Sequence, residues 1–373
     1  MAALRRFWLN VHLWLGVGLM IPVILLGLSG SLLTFDDAFD RMLTPARYAV
    51  SAGEPAAPSR LLEAARGAVG QDFVVISLRL PEHAGDPAIA QARIKGRPTP
   101  GAPPRGQRLW IDPVSARVLD VADPRGGLFG FAHQLHGQLM IPEIGRKVVG
   151  WVGWGLLISA LTGIWLWCPR AISFLAAFRW KRGTRFTHNL HHFVGFWIAI
   201  PLAILAATGV YISFPQSART FTQVVTQAPA QPQQRGGEGG PQRFGAPPFD
   251  HTHLNIDQVA AIVRSNAASS ELVAITLPTR PRSDDAPSWR VDTDRHGQTS
   301  TLQINDETGA VRPTRVNGDP IALFMRRLHD GGDQPMVWRV IIFLAGIVPA
   351  ILGVTGLIMW LRRPKRGAAT SRN

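Results

Sequence analysis

Eleven histidines occur in the 373 residues, and four of them fall into a pattern. His12 and His191 each open an apolar run as H-x-x-x-G, 179 residues apart. His136 and His329 each follow a leucine and precede another apolar run, 193 residues apart. A histidine in headgroup water often does nothing, but ionisable groups at membrane depth are expensive and usually functional. Four related in pairs ask for a shared role. If the members of each pair face one another, two imidazoles can bind the iron of a flat macrocycle from opposite sides, as in a bis-histidine b-type haem. Two haems follow, one near each membrane surface: His12 with His191, and His136 with His329. Gly16 and Gly195 lie one turn past the first pair and could let a porphyrin approach the backbone. Arg146, Lys147, Arg326, Arg327 and Arg339 lie near the second pair and could meet propionates. His133, one turn before His136, is a weaker ligand candidate because its counterpart is Arg326. His192 or His188 could replace His191. Two histidines with no matching carboxylate make a poor zinc site, which wants three or four ligands. His251-Thr-His253 reads as a linker end, and His83 and His296 suggest no role.

The elements that must hold these side chains are duplicated. Residues 10–35 match 189–214 at a constant offset: Asn10 with Asn189, Gly16 with Gly195, Pro22 with Pro201, Ser29-Gly30 with Thr208-Gly209. A second offset relates Arg146 to Arg339, Gly153 to Gly346, Thr162-Gly163 to Thr355-Gly356 and Trp167 to Trp360. The Thr-Gly pairs read as packing contacts, since small residues let membrane helices approach. The polar segments repeat too. LWIDPVSARVL (109–119) and LQINDETGAVR (302–312) each predict strand, turn and strand. Residues 58–69 and 256–265 predict helices, and 74–81 and 272–278 predict strands.

Four apolar runs, 11–35, 148–168, 190–214 and 338–361, are long enough to cross a bilayer. Charge orients them. Arg5 and Arg6, then Arg170, Arg179, Lys181, Arg182 and Arg185, then Arg362, Arg363, Lys365, Arg366 and Arg372 occupy segments without Asp or Glu. Every acidic residue lies between Asp36 and Glu143 or between Glu238 and Asp333. The positive-inside rule puts the basic segments in the cytoplasm, so the net charge of +14 is mostly topology and no nucleic acid partner is implied. A charged fraction of 17% argues against an ordinary soluble domain, and one cysteine excludes a disulfide framework. The predicted fold is an α-helical four-span bundle of two parallel repeats, carrying two small extracytoplasmic α+β domains. Its parts are span one (1–36), outer domain one (37–127), an outer interfacial segment with span two (128–170), a cytoplasmic loop (171–187), span three (188–214), a flexible outer linker (215–250), outer domain two (251–325), an outer segment with span four (326–362), and a tail (363–373). Pro142 predicts a break after His136, leaving 128–140 as a separate amphipathic piece.

With these residues in view, the chain resembles the PepSY-associated transmembrane helix family of bacterial inner-membrane proteins. The marks are the H-x-x-x-G openings, the Leu-His pairs, the T-G-x-x-x-W endings at 162–167 and 355–360, and the D-P-x-S-A-x-V and N-D-E-T-G-A-V runs, which are similar to the ends of PepSY units. Within that family it looks most like the di-haem ferric-siderophore reductases. That resemblance implies a multi-pass inner-membrane protein with both termini cytoplasmic and the large domains periplasmic. It would carry electrons through two b-type haems to a periplasmic ferric siderophore and release Fe(II). No nucleotide fingerprint appears, so the donor would be quinol or a cytoplasmic or membrane partner. The alternatives are a non-enzymatic PepSY-type regulator, a transport accessory protein, or a haem-handling protein.

Overall fold

The computed structural model describes residues 2–96, 105–168, 180, 183–226, 252–266, 270–279, 287–295, 298–313, 320–332 and 334–362. Arg170, Arg179, Lys181, Arg182, the tail from Arg363, residues 227–250, His251 and His296 lie outside them. The chain forms two units: Met1–Phe35 with Leu128–Ala230 and Pro320–Asn373, and Asp36–Gly127 with Gln231–Asp319.

The first unit is helical. Its long helices are α1 (Ala2–Gly18), α2 (Met20–Thr34), α6 (Gly145–Trp167), α7 (Phe186–Ser213) and α11 (Met336–Leu361). Among the described residues, α6, α7 and α11 are each long and apolar enough to cross a membrane, and α1 with α2 make a fourth span if the bent pair counts as one. The protein is a multi-pass membrane protein. Helix α6 packs along α7, α2 along α11, α1 along α6, and α11 along α7. At the tightest crossing the backbones of α2 and α11 touch: a Cβ on Gly346 would strike the Gly27 carbonyl and Ser31 Oγ.

The first span is not the single helix that hydropathy suggests. It bends by 63° between α1 and α2. Pro22 withholds the amide that Gly18 would need and crowds the Gly18 carbonyl. Pro201 stands in the matching place, yet α7 runs through it unbroken. The residue four before it is Trp197, a far better helix former than glycine, so the same proline breaks one span and not the other.

Two short helices precede spans. Helix α5 (Gly127–Gln138) is separated from α6 by a turn in which Leu139, Met140 and Glu143 all take positive φ. Helix α10 (Pro320–Asp330) ends at Gly331, with φ of +74°. Residues read as the start of a flexible linker form helix α8 (Pro215–Thr226) instead. Its Ala218 and Thr222 are buried, and the Thr222 hydroxyl lies 2.7 Å from that of Tyr211.

Among the described residues the second unit holds α3 (Asp36–Leu43), a 3-10 turn (Pro45–Tyr48), α4 (Pro58–Ala68), α9 (Ile256–Asn266) and eight strands. These are β1 (Phe73–Arg79), β2 (Ala88–Ile94), β3 (Gly106–Ile111), β4 (Val118–Ala122), β5 (Glu271–Thr276), β6 (Ser288–Arg295), β7 (Gln298–Asn305) and β8 (Val311–Pro313). The two outer segments, read from sequence as separate domains, share one antiparallel sheet of order β4-β3-β2-β1-β5-β6-β7-β8. The join is β1 with β5, where Leu78 faces Ile275. Leu61, Leu62 and Ala65 of α4 and Val259, Ala260 and Val263 of α9 bury against Ala88, Ala90, Leu109, Ile275, Val291 and Ile304. The Ser59 amide donates to Asp257 at 2.9 Å, tying the start of α4 to α9.

Asp112, at the β3–β4 turn, is fully buried. Burial alone would raise its carboxyl, but the Ser115 and Ser51 hydroxyls and the Val114 and Ser51 amides donate to it and hold it well below the usual carboxylate range. Because the folded group binds its proton less readily than the unfolded one, its contribution is complete above the unfolded value of about 4 and is lost as pH falls. Asp112→Asn should destabilise this unit by about 3 kcal/mol at neutral pH and flatten its acid sensitivity. Melting the full chain between pH 3 and 7 measures both, and parallel curves for the two proteins would contradict it.

Candidate functional site

The four histidines singled out from sequence meet in two pairs. The rings of His12 (α1) and His191 (α7) have centroids 6.4 Å apart and planes at 86°. The rings of His136 (α5) and His329 (α10) have centroids 6.0 Å apart and planes at 48°. Direct stacking would bring the rings closer, as in His188 and His192 at 4.3 Å. Two imidazoles bound to one metal from opposite sides, each through a bond of about 2 Å and with a ring radius of about 1 Å, place their centroids about 6 Å apart. Both pairs have that spacing.

Each ring is seated against a Ser-Gly or Thr-Gly dipeptide on a neighbouring helix. His12 Nδ1 lies 3.0 Å from the Ser159 carbonyl and 3.2 Å from Thr162 Oγ1. His191 Nδ1 lies 3.0 Å from Thr355 Oγ1 and also bonds to the Leu352 carbonyl. His329 Nδ1 lies 2.9 Å from Thr208 Oγ1 and bonds to the Leu205 carbonyl. His136 Nδ1 lies 2.9 Å from the Leu26 carbonyl, with Ser29 Oγ farther off at 3.5 Å. The following glycine makes room for the ring. A Cβ would approach Cε1 of His136 to 2.8 Å at Gly30, of His12 to 3.1 Å at Gly163, of His329 to 3.2 Å at Gly209, and of His191 to 3.4 Å at Gly356. The four dipeptides therefore do more than pack helices.

The seats fix the tautomer. Thr162 Oγ1 donates to the Ile158 carbonyl at 2.8 Å, Thr208 Oγ1 to Ile204 at 2.9 Å, Thr355 Oγ1 to Ile351 at 2.8 Å, and Ser29 Oγ to Leu25 at 2.7 Å. A hydroxyl whose hydrogen is committed to its own helix can only accept from the imidazole. Carbonyls likewise only accept. Nδ1 therefore carries the ring proton, and the Nε2 lone pair is left to bind a metal.

The two sites lie far apart along the bundle. On α7, His191 belongs to one and Thr208 seats the other, 17 residues on, a rise of about 25 Å.

The secondary candidates divide: His133, His192 and Arg146 contact other groups, and Arg326 lies beside the second pair. His133 is exposed and its Nδ1 bonds at 3.0 Å to the Phe129 carbonyl of its own helix. His192 lies against His188, with ring centroids 4.3 Å apart. Arg146 donates to the Ile212 carbonyl at 2.6 Å, capping the end of α7. Arg339 donates to the Thr34 carbonyl at 2.8 Å, doing the same for α2. Arg326 is a charged neighbour of both Arg146 and His329, and Asp330 of Arg326 and His136, so both signs of charge lie beside the second pair.

The profile of the family described as PepSY-associated TM region matches residues 9–363. The chain belongs to the PepSY-associated TM region family. No curated protein matches it. The family match takes in both histidine pairs and all four of their seats.

A flat macrocycle fits this PepSY-associated TM region protein better than a bare ion does. Among the described residues no three His, Cys, Asp or Glu side chains gather to hold a metal. A porphyrin brings its own four nitrogens and needs only the two axial donors that each pair presents. A Cβ on Gly16 would meet nothing within 4 Å, so space is open one turn from His12. The chemistry of the donor set fits haem at both sites.

Proposed function

We propose that this chain carries electrons across the membrane between two b-type haems and delivers them to a ferric siderophore, releasing Fe(II). The observation that carries the reading is the pairing of His12 with His191 and of His136 with His329 at the separation of two axial ligands, every Nδ1 held by the protein. Haem bound there would supply one-electron transfer. His12 and His191 would hold the haem near the cytoplasmic surface, and His136 and His329 the haem near the periplasmic one. In this reading the two halves are parallel repeats about an axis along the membrane normal, and each pair meets on that axis.

The side chains around the pairs serve the same end. The seats hold the imidazoles before any metal arrives, which lowers the cost of ordering them. Neutral imidazole donors suit an iron that changes by one charge, since a directly bound carboxylate would favour the ferric state. Arg326 beside Arg146 provides cationic partners for propionates at the second site. The ferric chelate as acceptor rests on the likeness to siderophore reductases. Quinol or an acidic partner protein at the basic cytoplasmic segments is the matching donor.

Purified protein should contain two haems of b type per chain, with a Soret band and a sharp reduced α-band. Mixed anaerobically with a ferric siderophore and an Fe(II) chelator, the reduced protein should reoxidise and yield one Fe(II) per electron. A colourless preparation from haem-replete cells would overturn the reading and favour a regulatory or transport accessory role.

A further inference from the structure

We infer that the hydroxyls of Thr162, Thr208 and Thr355 are positioning residues that set the reduction potential of the two centres through the histidines they hold. This rests on the haem reading above and deepens it.

Three facts carry it. All three hydroxyls are buried, Thr208 to 2% exposure, so their bonds are not traded for water. Each is oriented by its own helix, which takes its hydrogen and turns a lone pair toward the imidazole. Each lies within 2.9–3.2 Å of an Nδ1. An acceptor at Nδ1 draws the ring proton outward and enriches the opposite nitrogen in electron density. A richer axial donor stabilises the ferric more than the ferrous state, so the potential falls. The fourth seat is a built-in contrast. Ser29 Oγ stands 3.5 Å from His136 Nδ1, beyond a hydrogen bond of good geometry, and the Leu26 carbonyl does that work alone.

The test compares Thr208→Val, Thr355→Val, Thr208→Ser and Ser29→Ala in the full-length protein, reading haem content, ferric electron paramagnetic resonance and potentiometric titration. Thr208→Val should keep both haems and favour reduction of the His136–His329 centre about tenfold, a rise of about 59 mV for one electron. Thr355→Val should do the same at the His12–His191 centre. Thr208→Ser should restore the parent potential, and Ser29→Ala should leave it in place. Haem lost from Thr208→Val and regained in Thr208→Ser would also support the role. Unchanged potentials with both haems retained, or a loss that serine does not rescue, would overturn it while leaving the haem reading intact. A wild-type protein without haem would instead remove the reading beneath it.

Discussion

If the two pairs each hold a haem, His329→Ala should leave one haem per chain where the parent should carry two. The remaining centre should be the one held by His12 and His191, and Fe(II) release should fall by more than about 100-fold, beyond what disturbing a metal's outer sphere alone costs. Among the described residues no other histidine pairs with His136, and the nearby Asp330 is a carboxylate that interacts with Arg326, His136 and His133. His133 is exposed and tied to the Phe129 carbonyl, and no other His, Cys, Asp or Glu joins a metal-binding group among the described residues. His12→Ala should remove the other centre and spare this one. In that reading, loss at either end should stop transfer, because about 25 Å along α7 separates the sites. His133→Ala and His192→Ala should each retain both haems. Haem counting and redox spectra on the four variants, each checked for helical content, read the result directly. Two haems in His329→Ala, or one in His133→Ala, would refute the assignment of ligands.

The pairs could be proposed from the chain alone because the constant sequence offsets, read as a duplication, predict facing positions. His12 and His191 share a place in matching spans, and so do His136 and His329. What could not be read locally were the features that depend on a partner element. Pro22 and Pro201 look alike, and only Gly18 against Trp197 decides which span breaks. Strands β1 and β5 are each legible, but their union in one sheet is a long-range pairing that neither pattern encodes. Strand β2 escaped notice because Ala88, Ala90 and Ala92 are weak strand formers, yet they alternate and are buried. Helix α8 was hidden by Gln and Thr within a polar stretch. The Thr-Gly dipeptides were visible but given the ordinary meaning of small residues in membrane helices, and Ser29-Gly30 was noted only as the match of Thr208-Gly209. The overlooked signal was their number: four dipeptides at repeat-related places for four histidines.

That correspondence makes the seat glycines a graded test. A methyl group at Gly30 would come to 2.8 Å from Cε1 and 3.1 Å from Nδ1 of His136, and at Gly356 only to 3.4 Å from His191 Cε1. The first is a clash and the second ordinary contact. His136 cannot yield easily, since its Nδ1 is bonded to Leu26, and an axial ligand has to stay within about 0.5 Å of its productive position. Gly30→Ala should therefore lose most of the haem held by His136 and His329. Gly356→Ala should keep a full complement, with Gly163→Ala and Gly209→Ala between them. Helix propensity acts the opposite way, because alanine in a helix interior is favoured over glycine by about 1 kcal/mol. A purely structural role for Gly30 would make haem loss follow melting temperature across the series. The seat makes the two diverge: Gly30→Ala should lose cofactor out of proportion to any fall in the melting temperature of the haem-free protein. Equal haem retention in Gly30→Ala and Gly356→Ala would show that the glycines serve only helix packing.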